Sequence, residues 1–320
     1  MNFLMCSAGR RCELIKDIRK SMTEGSRIIA TDNSQYAPAL YLADGYYLVP
    51  RIDADNYIDV LLDICVKERI NVITTFIDPE ILVLARNREK FKNIGVEVLA
   101  PSVRTAELCF DKYKMFEYLR ENGINTVMTW GSYVDAERAI LNNEVAFPIF
   151  IKPRMGSGSV GAKKIEDFET LKNSFLEDDS LIAQEYMDGQ DLDADIYIDT
   201  ISHLPVSVFS KKKISTTIGG ANKTISFRDQ KLFSFIKAFL PLFEFNGPID
   251  ADFFYKDGVY YLSEINPRFG GAYLHAYGAG VDFIKLIENN LQGKANKASI
   301  GDYDENVVMM MYDSVVIHKF

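Results

Sequence analysis

Short apolar runs alternate with longer amphipathic stretches from the first residue onward. Phe3-Leu4-Met5-Cys6 predicts a strand, Ser7-Ala8-Gly9 a turn, and Arg11–Met22 a helix. Arg27–Ala30 predicts a second strand ending in Thr31-Asp32, and Tyr46–Val49 a third, closed by Pro50. Asp55–Glu68 has helical spacing through Ile58, Leu61, Leu62 and Cys65. Val72–Phe76 reads as a strand, and Ile77-Asp78-Pro79-Glu80 opens a helix with Pro in its first turn. Val96–Leu99 is a further strand before Pro101. This βα repetition predicts a doubly wound, mainly parallel α/β sheet. Ligands of such sheets bind beyond the carboxyl ends of the strands, which puts Ser7–Arg11, Asp32 and Asp78–Glu80 on one edge.

The order of elements changes near residue 108. Asp111–Asn122 predicts a helix, followed by a strand near Asn125–Thr129, a helix near Asp135–Asn142 and the strand Ile149–Lys152. A Gly/Ser loop, Gly156–Gly161, precedes the strand Ala162–Ile165 and the helix Asp167–Leu176. From Leu181 strands dominate: Leu181–Tyr186, Ala194–Ile201 and Val206–Ile214. A helix at Asp229–Phe243 separates these from a hairpin over Ile249–Ile265. The second part therefore reads as α+β.

Composition narrows the function. The 320 residues carry a net charge of −9, which argues against a broad polyanion-binding surface and so against nucleic acid. A small phosphorylated ligand needs only a few local cations and stays open. Apolar runs fall far short of the ~20 residues a membrane span requires. Met1–Arg10 has no basic region ahead of its apolar residues, so no signal peptide is expected, and a cytoplasmic setting follows. Cys6, Cys12, Cys65 and Cys109 form no CxxC pair and read as reduced, mostly buried thiols. Neither HExxH nor GxSxG is present, so a His-based zinc site and a hydrolase triad are disfavoured. The first turn, SAGRR, has one glycine where a dinucleotide fingerprint wants three. Arg10 and Arg11 there are candidates to hold a substrate carboxylate or phosphate, or else are solvated arginines of a connector.

Gly247–Gly271 carries the strongest chemistry. Asp250 and Asp252 share one face of their strand, and Glu264 and Asn266 share one face of the return strand. The two faces coincide only if the hairpin loop has an odd number of residues, so a three-residue loop, Lys256-Asp257-Gly258, is expected. Two or three carboxylates and an amide oxygen then meet, and a magnesium ion resolves their repulsion. The second constellation is Pro148–Gly161, in which Lys152 ends a strand ahead of glycines 156, 158 and 161. The glycines let backbone N–H groups turn toward a phosphate chain, though the motif is not a P-loop. Lys211-Lys212-Lys213 reads by default as a solvated charge run. Gly219–Lys223 reads as a second mobile loop, and Tyr273 and His275 either line an acceptor pocket or are satisfied structural residues.

Lys152, the Gly/Ser loop, Gln184–Gly189, Asp252 and Glu264-Ile265-Asn266-Pro267-Arg268 occur in the order of the ATP-grasp superfamily. The chain resembles a single ATP-grasp unit related to the carbamoyl-phosphate synthase large subunit, and more distantly biotin carboxylase and D-alanine–D-alanine ligase. The resemblance implies an N-terminal doubly wound parallel α/β domain, residues 1–108, followed by an ATP-grasp fold of two α+β subdomains gripping ATP, residues 109–320. A lid over about 124–184 and a metal and phosphate subdomain over about 185–320 are expected.

The same resemblance implies roles. Lys112 and Lys152 would contact the α- and β-phosphates beneath a cover formed by Gly156, Ser157, Gly158 and Ser159. Glu185 and the backbone of Tyr186 and Met187 would recognise adenine, and Asp191 the ribose. Asp252, Glu264 and Asn266 would hold magnesium, with manganese as a substitute, and Asp250 would either join them or support them. Arg268 would steady the γ-phosphoryl group, making Arg268 and Lys152 the catalytic candidates. Arg10, Arg11, Glu80 and Lys223 are candidates for the substrate side. The implied reaction is ATP-dependent ligation of a small-molecule carboxylate to an amine through an acyl phosphate. Rival readings are a grasp subunit of a carbamoyl-phosphate-synthase-like complex, a carboxyl kinase, a non-catalytic ATP-binding regulatory subunit, and an NAD oxidoreductase. A homodimer is compatible with the resemblance, and neither a nucleic acid nor a membrane partner is expected.

Overall fold

A computed structural model describes every residue except 157–160, 218–219 and 320. Its first layer is built from β1 (Asn2–Cys6), α1 (Cys12–Ser21), β2 (Arg27–Asp32), β3 (Gly45–Leu48), α2 (Tyr57–Glu68), β4 (Val72–Thr75), α3 (Asp78–Arg86), α4 (Arg88–Asn93) and β5 (Glu97–Val98). The five strands are parallel, in the order β3-β2-β1-β4-β5. β1 is apolar at successive positions because both of its faces are covered. Phe3 and Met5 enter one core, and Leu4 and Cys6 enter another on the opposite face.

Two helices then lead to a second sheet. α5 (Val103–Phe110) is capped by Ser102, whose hydroxyl accepts from Thr105 N–H, and α6 (Lys112–Glu121) is capped by Asp111, which accepts from Tyr113 and Lys114 N–H. Next come β6 (Thr129–Trp130), α7 (Tyr133–Leu141), β7 (Ile149–Pro153), β8 (Lys163–Ile165), α8 (Phe168–Glu177) and β9 (Leu181–Glu185). Their four strands pair antiparallel in the order β6-β9-β7-β8 and have a core of their own, with Trp130, Ile149, Ile151 and Leu171 in it.

The last part contains β10 (Gln190–Ile198), β11 (Pro205–Thr217), β12 (Gly220–Phe227), α9 (Gln230–Phe239), β13 (Gly247–Lys256), β14 (Val259–Asn266), α10 (Tyr273–Gly278), α11 (Phe283–Leu291), β15 (Ser299–Ile300) and β16 (Val308–Met310). A seven-stranded sheet runs β14-β13-β10-β11-β12-β16, with β15 paired to β11. Its core is continuous with one face of the first sheet, joining Phe3 and Met5 to Phe209, Phe253 and Phe283. Polar ties cross the same seam: Thr23 N–H and hydroxyl donate to Glu288 at 2.8 and 2.9 Å, and Asn246 donates to Glu97 at 2.8 Å. The smaller four-stranded unit thus projects from a base formed by the other two sheets.

Two expectations are corrected. Ala221, Asn222 and Lys223 belong to β12, where a mobile loop was expected, because the alternation Thr224-Ile225-Ser226-Phe227 continues as a ladder between β11 and β16. The hairpin turn between β13 and β14 has two residues, Asp257 and Gly258, both at positive φ (51° and 82°), with Lys256 opposite Val259. That register alone would put Glu264 on the wrong face. A bulge repairs the parity: Phe253 faces Leu262 while Asp252 faces Glu264, leaving Ser263 as the extra residue.

Candidate active site

The bulge sets the geometry of the cleft between the four-stranded unit and the base. Asp252 lies directly opposite Glu264, and Asp250 opposite Asn266. The Asn266 amide nitrogen is 3.5 Å from Asp252 Oδ2. Glu264 is half-buried, and among the described residues its carboxylate accepts no hydrogen bond and makes no ion pair. Such a carboxylate is costly unless a cation meets it. Across the cleft, β7 carries Lys152 at its end. Its ammonium also has no hydrogen-bond or ion-pair partner among the described residues. Burial holds its pKa below the usual lysine value, with Glu264 and Asp252 pulling upward and Lys112 pushing down. These four charges therefore share one space. Lys112, at the start of α6, donates to the Gly156 carbonyl at 2.5 Å. A small recess lies here, lined by Asp78, Cys109, Gly156, Glu264 and Asn266 among others. Ser157, Gly158 and Ser159 lie outside the described residues.

Hard oxygen donors in Asp252, Glu264 and Asn266, with Glu264 unpaired among the described residues, are the set that magnesium takes, and the Lys152 ammonium opposite suits a phosphate oxygen. The residues present fit a magnesium–nucleotide pair. A second acidic group, Asp193, Asp195 and Asp250, is buried beneath, with its oxygens within 4.8 Å of one another. It already holds a cation: the fully buried Lys211 ammonium is 2.9 Å from Asp193 and pairs with Asp195. Burial, then Asp193, Asp252 and Asp195, push the Asp250 carboxyl well above the carboxylate range.

Other residues land as follows. Lys211, expected in solvent, is sealed, because alternation on β11 aims it inward between acids of β10. Lys213, on the same face, reaches Asp252 at 2.5 Å and Asp191 at 3.0 Å. Burial pushes Asp191 up to about 6. Glu185, at the end of β9, is 3.6 Å from Lys256, which also pairs with Asp188 at 3.0 Å. Tyr186 is exposed beside it and Met187 is buried. Arg268 turns its fork onto Asp78 of the first layer, Nε to Oδ1 at 2.7 Å and Nη2 to Oδ2 at 3.3 Å. Its remaining nitrogen donates to the Phe269 carbonyl at 3.1 Å and lies 3.8 Å from Asp250. Where the γ-phosphate was expected, Arg268 thus has an interdomain carboxylate.

Glu80 is buried away from any substrate. It accepts from the hydroxyls of Ser7 (2.7 Å), Thr75 (2.5 Å) and Tyr57, and so locks the turn after β1 to the start of α3. Its substrate role is corrected accordingly, since no oxygen is left facing outward. Ser7 sits at φ 48° in this turn, and Gly9 N–H donates to Asp32 at 2.9 Å. Lys223 is exposed on β12, opposite Met310 of the edge strand. Tyr273 and His275 are structural: the Tyr273 hydroxyl accepts from Phe283 N–H at 2.7 Å, while His275 meets the Thr224 hydroxyl at 2.7 Å and the Val307 carbonyl at 3.0 Å. The tie between Asp78 and Arg268 was missed by sequence reasoning, because 190 residues separate the partners.

Comparison with known proteins agrees with this layout. Residues 3–99 match a family model described as PylC-like, N-terminal domain, and residues 109–272 one described as ATP-grasp domain. A carbamoyl-phosphate synthase of Methanobrevibacter smithii is 25% identical over 199 residues, 61% of this chain and 52% of that protein. A D-alanine–D-alanine ligase of Campylobacter lari is 23% identical over 215 residues, 61% of this chain and 60% of that protein. The chain spans about half the length of the curated relatives it matches. The N5-carboxyaminoimidazole synthetase of Staphylococcus aureus, solved with ADP, superposes with a TM-score of 0.77 at 17% identity, covering 97% of this chain and 81% of that one. The biotin carboxylase domain of the Hydrogenobacter thermophilus 2-oxoglutarate carboxylase, solved as a dimer with MgADP and bicarbonate, gives 0.73 at 18% identity over 96% and 73%. At such identities the likeness is one of fold.

Proposed function

Because this chain belongs to the ATP-grasp family, we propose that it is an ATP- and magnesium-dependent ligase that joins a small carboxylate to an amine through an acyl phosphate. The observation that carries this reading is the pair of opposite charges in one cleft, the Glu264 carboxylate and the Lys152 ammonium, neither satisfied among the described residues. A protein with no ligand to bind would close these groups onto each other or onto water-exposed partners.

In this reading residues 1–108 supply the substrate side and residues 109–320 the grasp unit. Asp252, Glu264 and Asn266 hold the metal, magnesium or manganese, which would offset charge on the β- and γ-phosphates. Lys112 and Lys152 neutralise the phosphate chain from the lid side, under the loop that begins at Gly156. Glu185, the backbone of Tyr186 and Met187, and Asp191 receive the nucleoside. The substrate carboxylate attacks the γ-phosphorus, forming its C–O–P bond as the bond to ADP breaks. The amine then takes the acyl carbon, and phosphate leaves. Arg268, held by Asp78, fixes the distance between the two domains during that transfer. Closure of the lid keeps water from the acyl phosphate.

An ADP-release screen with paired acids and amines tests the proposal, with Glu264→Gln as the control. At least one pair should drive turnover, and the variant should lose it by about 100-fold or more while still binding ATP. Unchanged turnover in Glu264→Gln removes the metal assignment. ATP binding without turnover by any pair points to a nucleotide-sensing subunit, and release with acid alone points to a carboxyl kinase.

A further inference from the structure

Among the described residues four arginines are half-buried: Arg11, Arg88, Arg154 and Arg268. Three of them are satisfied. Arg88 donates to the carbonyls of Val98, Ala100 and Pro101, Arg154 grips Asp111 through two nitrogens at 2.7 and 2.8 Å, and Arg268 forks onto Asp78. Arg11 is the exception. Its guanidinium makes no hydrogen bond and no ion pair among the described residues. The charges that act on it are Arg268, Asp250, Asp78 and Arg10. Asp78 is already spent on Arg268, and Asp250 lies 3.8 Å from that same guanidinium, among the buried acids around Lys211.

Position adds to the argument. Arg11 follows the turn after β1, and Asp78 opens α3 after β4. These strands are neighbours in the order β3-β2-β1-β4-β5, where the connections diverge to opposite sides. That is the crevice in which a doubly wound sheet takes its ligand. The turn is held rigidly, by Ser7 on Glu80 and Gly9 on Asp32, so Arg11 springs from a fixed base. A guanidinium drawn from water with five donors and no acceptor is a costly arrangement that a planar oxyanion repairs.

We propose that Arg11 anchors an oxyanion of the small-molecule substrate, a carboxylate or a phosphate, in the crevice between the ends of β1 and β4 and the Arg268–Asp78 pair. This deepens the ligase reading, on which it rests only for placing the anion beside the phosphoryl-transfer centre. It also separates the neighbouring arginines: Arg10 is exposed and Arg268 is engaged, so neither is the anchor.

The test is a calorimetric titration of the full chain, saturated with MgADP, using inorganic phosphate and separately acetate. The wild type should bind at least one of them saturably. Arg11→Gln should weaken that binding by about 10- to 100-fold, while Arg11→Lys, which keeps the charge but loses the fork, should fall between. Arg138→Gln, on α7, should match the wild type. Preference for acetate makes the group a carboxylate, and preference for phosphate makes it a phosphate. Equal anion binding by wild type and Arg11→Gln, or no saturable anion binding by the wild type, overturns the proposal. MgADP affinity, read in the same experiment, reports on the ligase reading by itself. If the wild type binds no nucleotide that reading fails, while the anion titration of the nucleotide-free chain still judges Arg11. Should Arg11→Gln not fold, the ratio of wild type to Arg11→Lys decides, equality of the two being the overturning result.

Discussion

Lys211 and Lys213 lie on the same face of β11, one pleat repeat apart, yet they serve two different charge layers. Lys211 is wholly enclosed with Asp193, Asp195 and Asp250, and Gly270 closes the layer from above, leaving no space for a Cβ. Lys213 belongs to the layer that opens on the cleft, with Asp191, Asp252 and Glu264. In the inner layer the charge is settled: Asp193 is held down by Lys211 despite its burial, the Asp250 carboxyl is pushed well above the carboxylate range by burial and its acidic neighbours, and the ammonium serves as the resident cation. The outer layer has an acid to spare, since Lys213 is shared by Asp191 and Asp252 while Glu264 has no partner among the described residues. A layer that balances its own charge is scaffold. A layer that leaves charge over is built for something that arrives.

The largest effect should come from breaking the scaffold. Lys211→Met removes the cation that Asp193 and Asp195 share and leaves their buried carboxylates facing each other. It should cost about 3–5 kcal/mol, the scale for stripping one partner from a buried ion pair. Denaturant midpoints of wild type and variant measure this. A loss under about 1 kcal/mol would mean that Asp193 and Asp195 simply take up protons.

Next comes the plug. A Cβ on Gly270 would stand 2.6 Å from Asp195 Oδ1 and 2.8 Å from Asp250 Oδ1. Gly270→Ala should therefore cost about 1–3 kcal/mol by overpacking against groups that cannot retreat. Thermal unfolding measures it. A neutral result would show that the inner layer is less closely packed than its geometry says.

The same comparison shows what the sequence made legible. Asp252, Glu264 and Asn266 were readable because alternation fixes faces within a strand, and the parallel first sheet was readable from its βα rhythm. The charge run 211–213 was misread because a triplet of lysines gives no sign of which neighbour strand will face it. That pairing is set by the register of β10 against β11, Asp193 opposite Lys211, a contact between distant segments. The hairpin shows a local version of the same limit. Asp257-Gly258 called for a two-residue turn, and the shared face of Asp252 and Glu264 called for an odd number of residues between the strands. Both demands hold at once only through a bulge at Ser263, which no residue type announces. Helices α10 and α11 went unread because their packing depends on the first layer, as in the Thr23–Glu288 tie.

The smallest effect on stability should come from Lys213→Met, and it is the most informative about the outer layer. Lys213 is itself largely buried, touching Asp252 at 2.5 Å and Asp191 at 3.0 Å, but these acids open on the cleft and can regain water when it is removed, so its loss should cost about 1 kcal/mol, well below that of Lys211. Burial opposes its charge, but Asp252, Asp193 and Asp191 more than compensate, so it stays protonated at any working pH and competes for Asp252 without a pH switch. Freed of that competitor, Asp252 should be a better metal ligand. The magnesium concentration for half-maximal ADP binding should fall by about 3- to 10-fold in the variant, a change of about 0.6–1.4 kcal/mol. A rise instead would mean that the ammonium positions Asp252 for the metal and does not rival it. The outer layer would then be organised around its lysine as the inner one is, and the contrast between the two would rest on Glu264 alone.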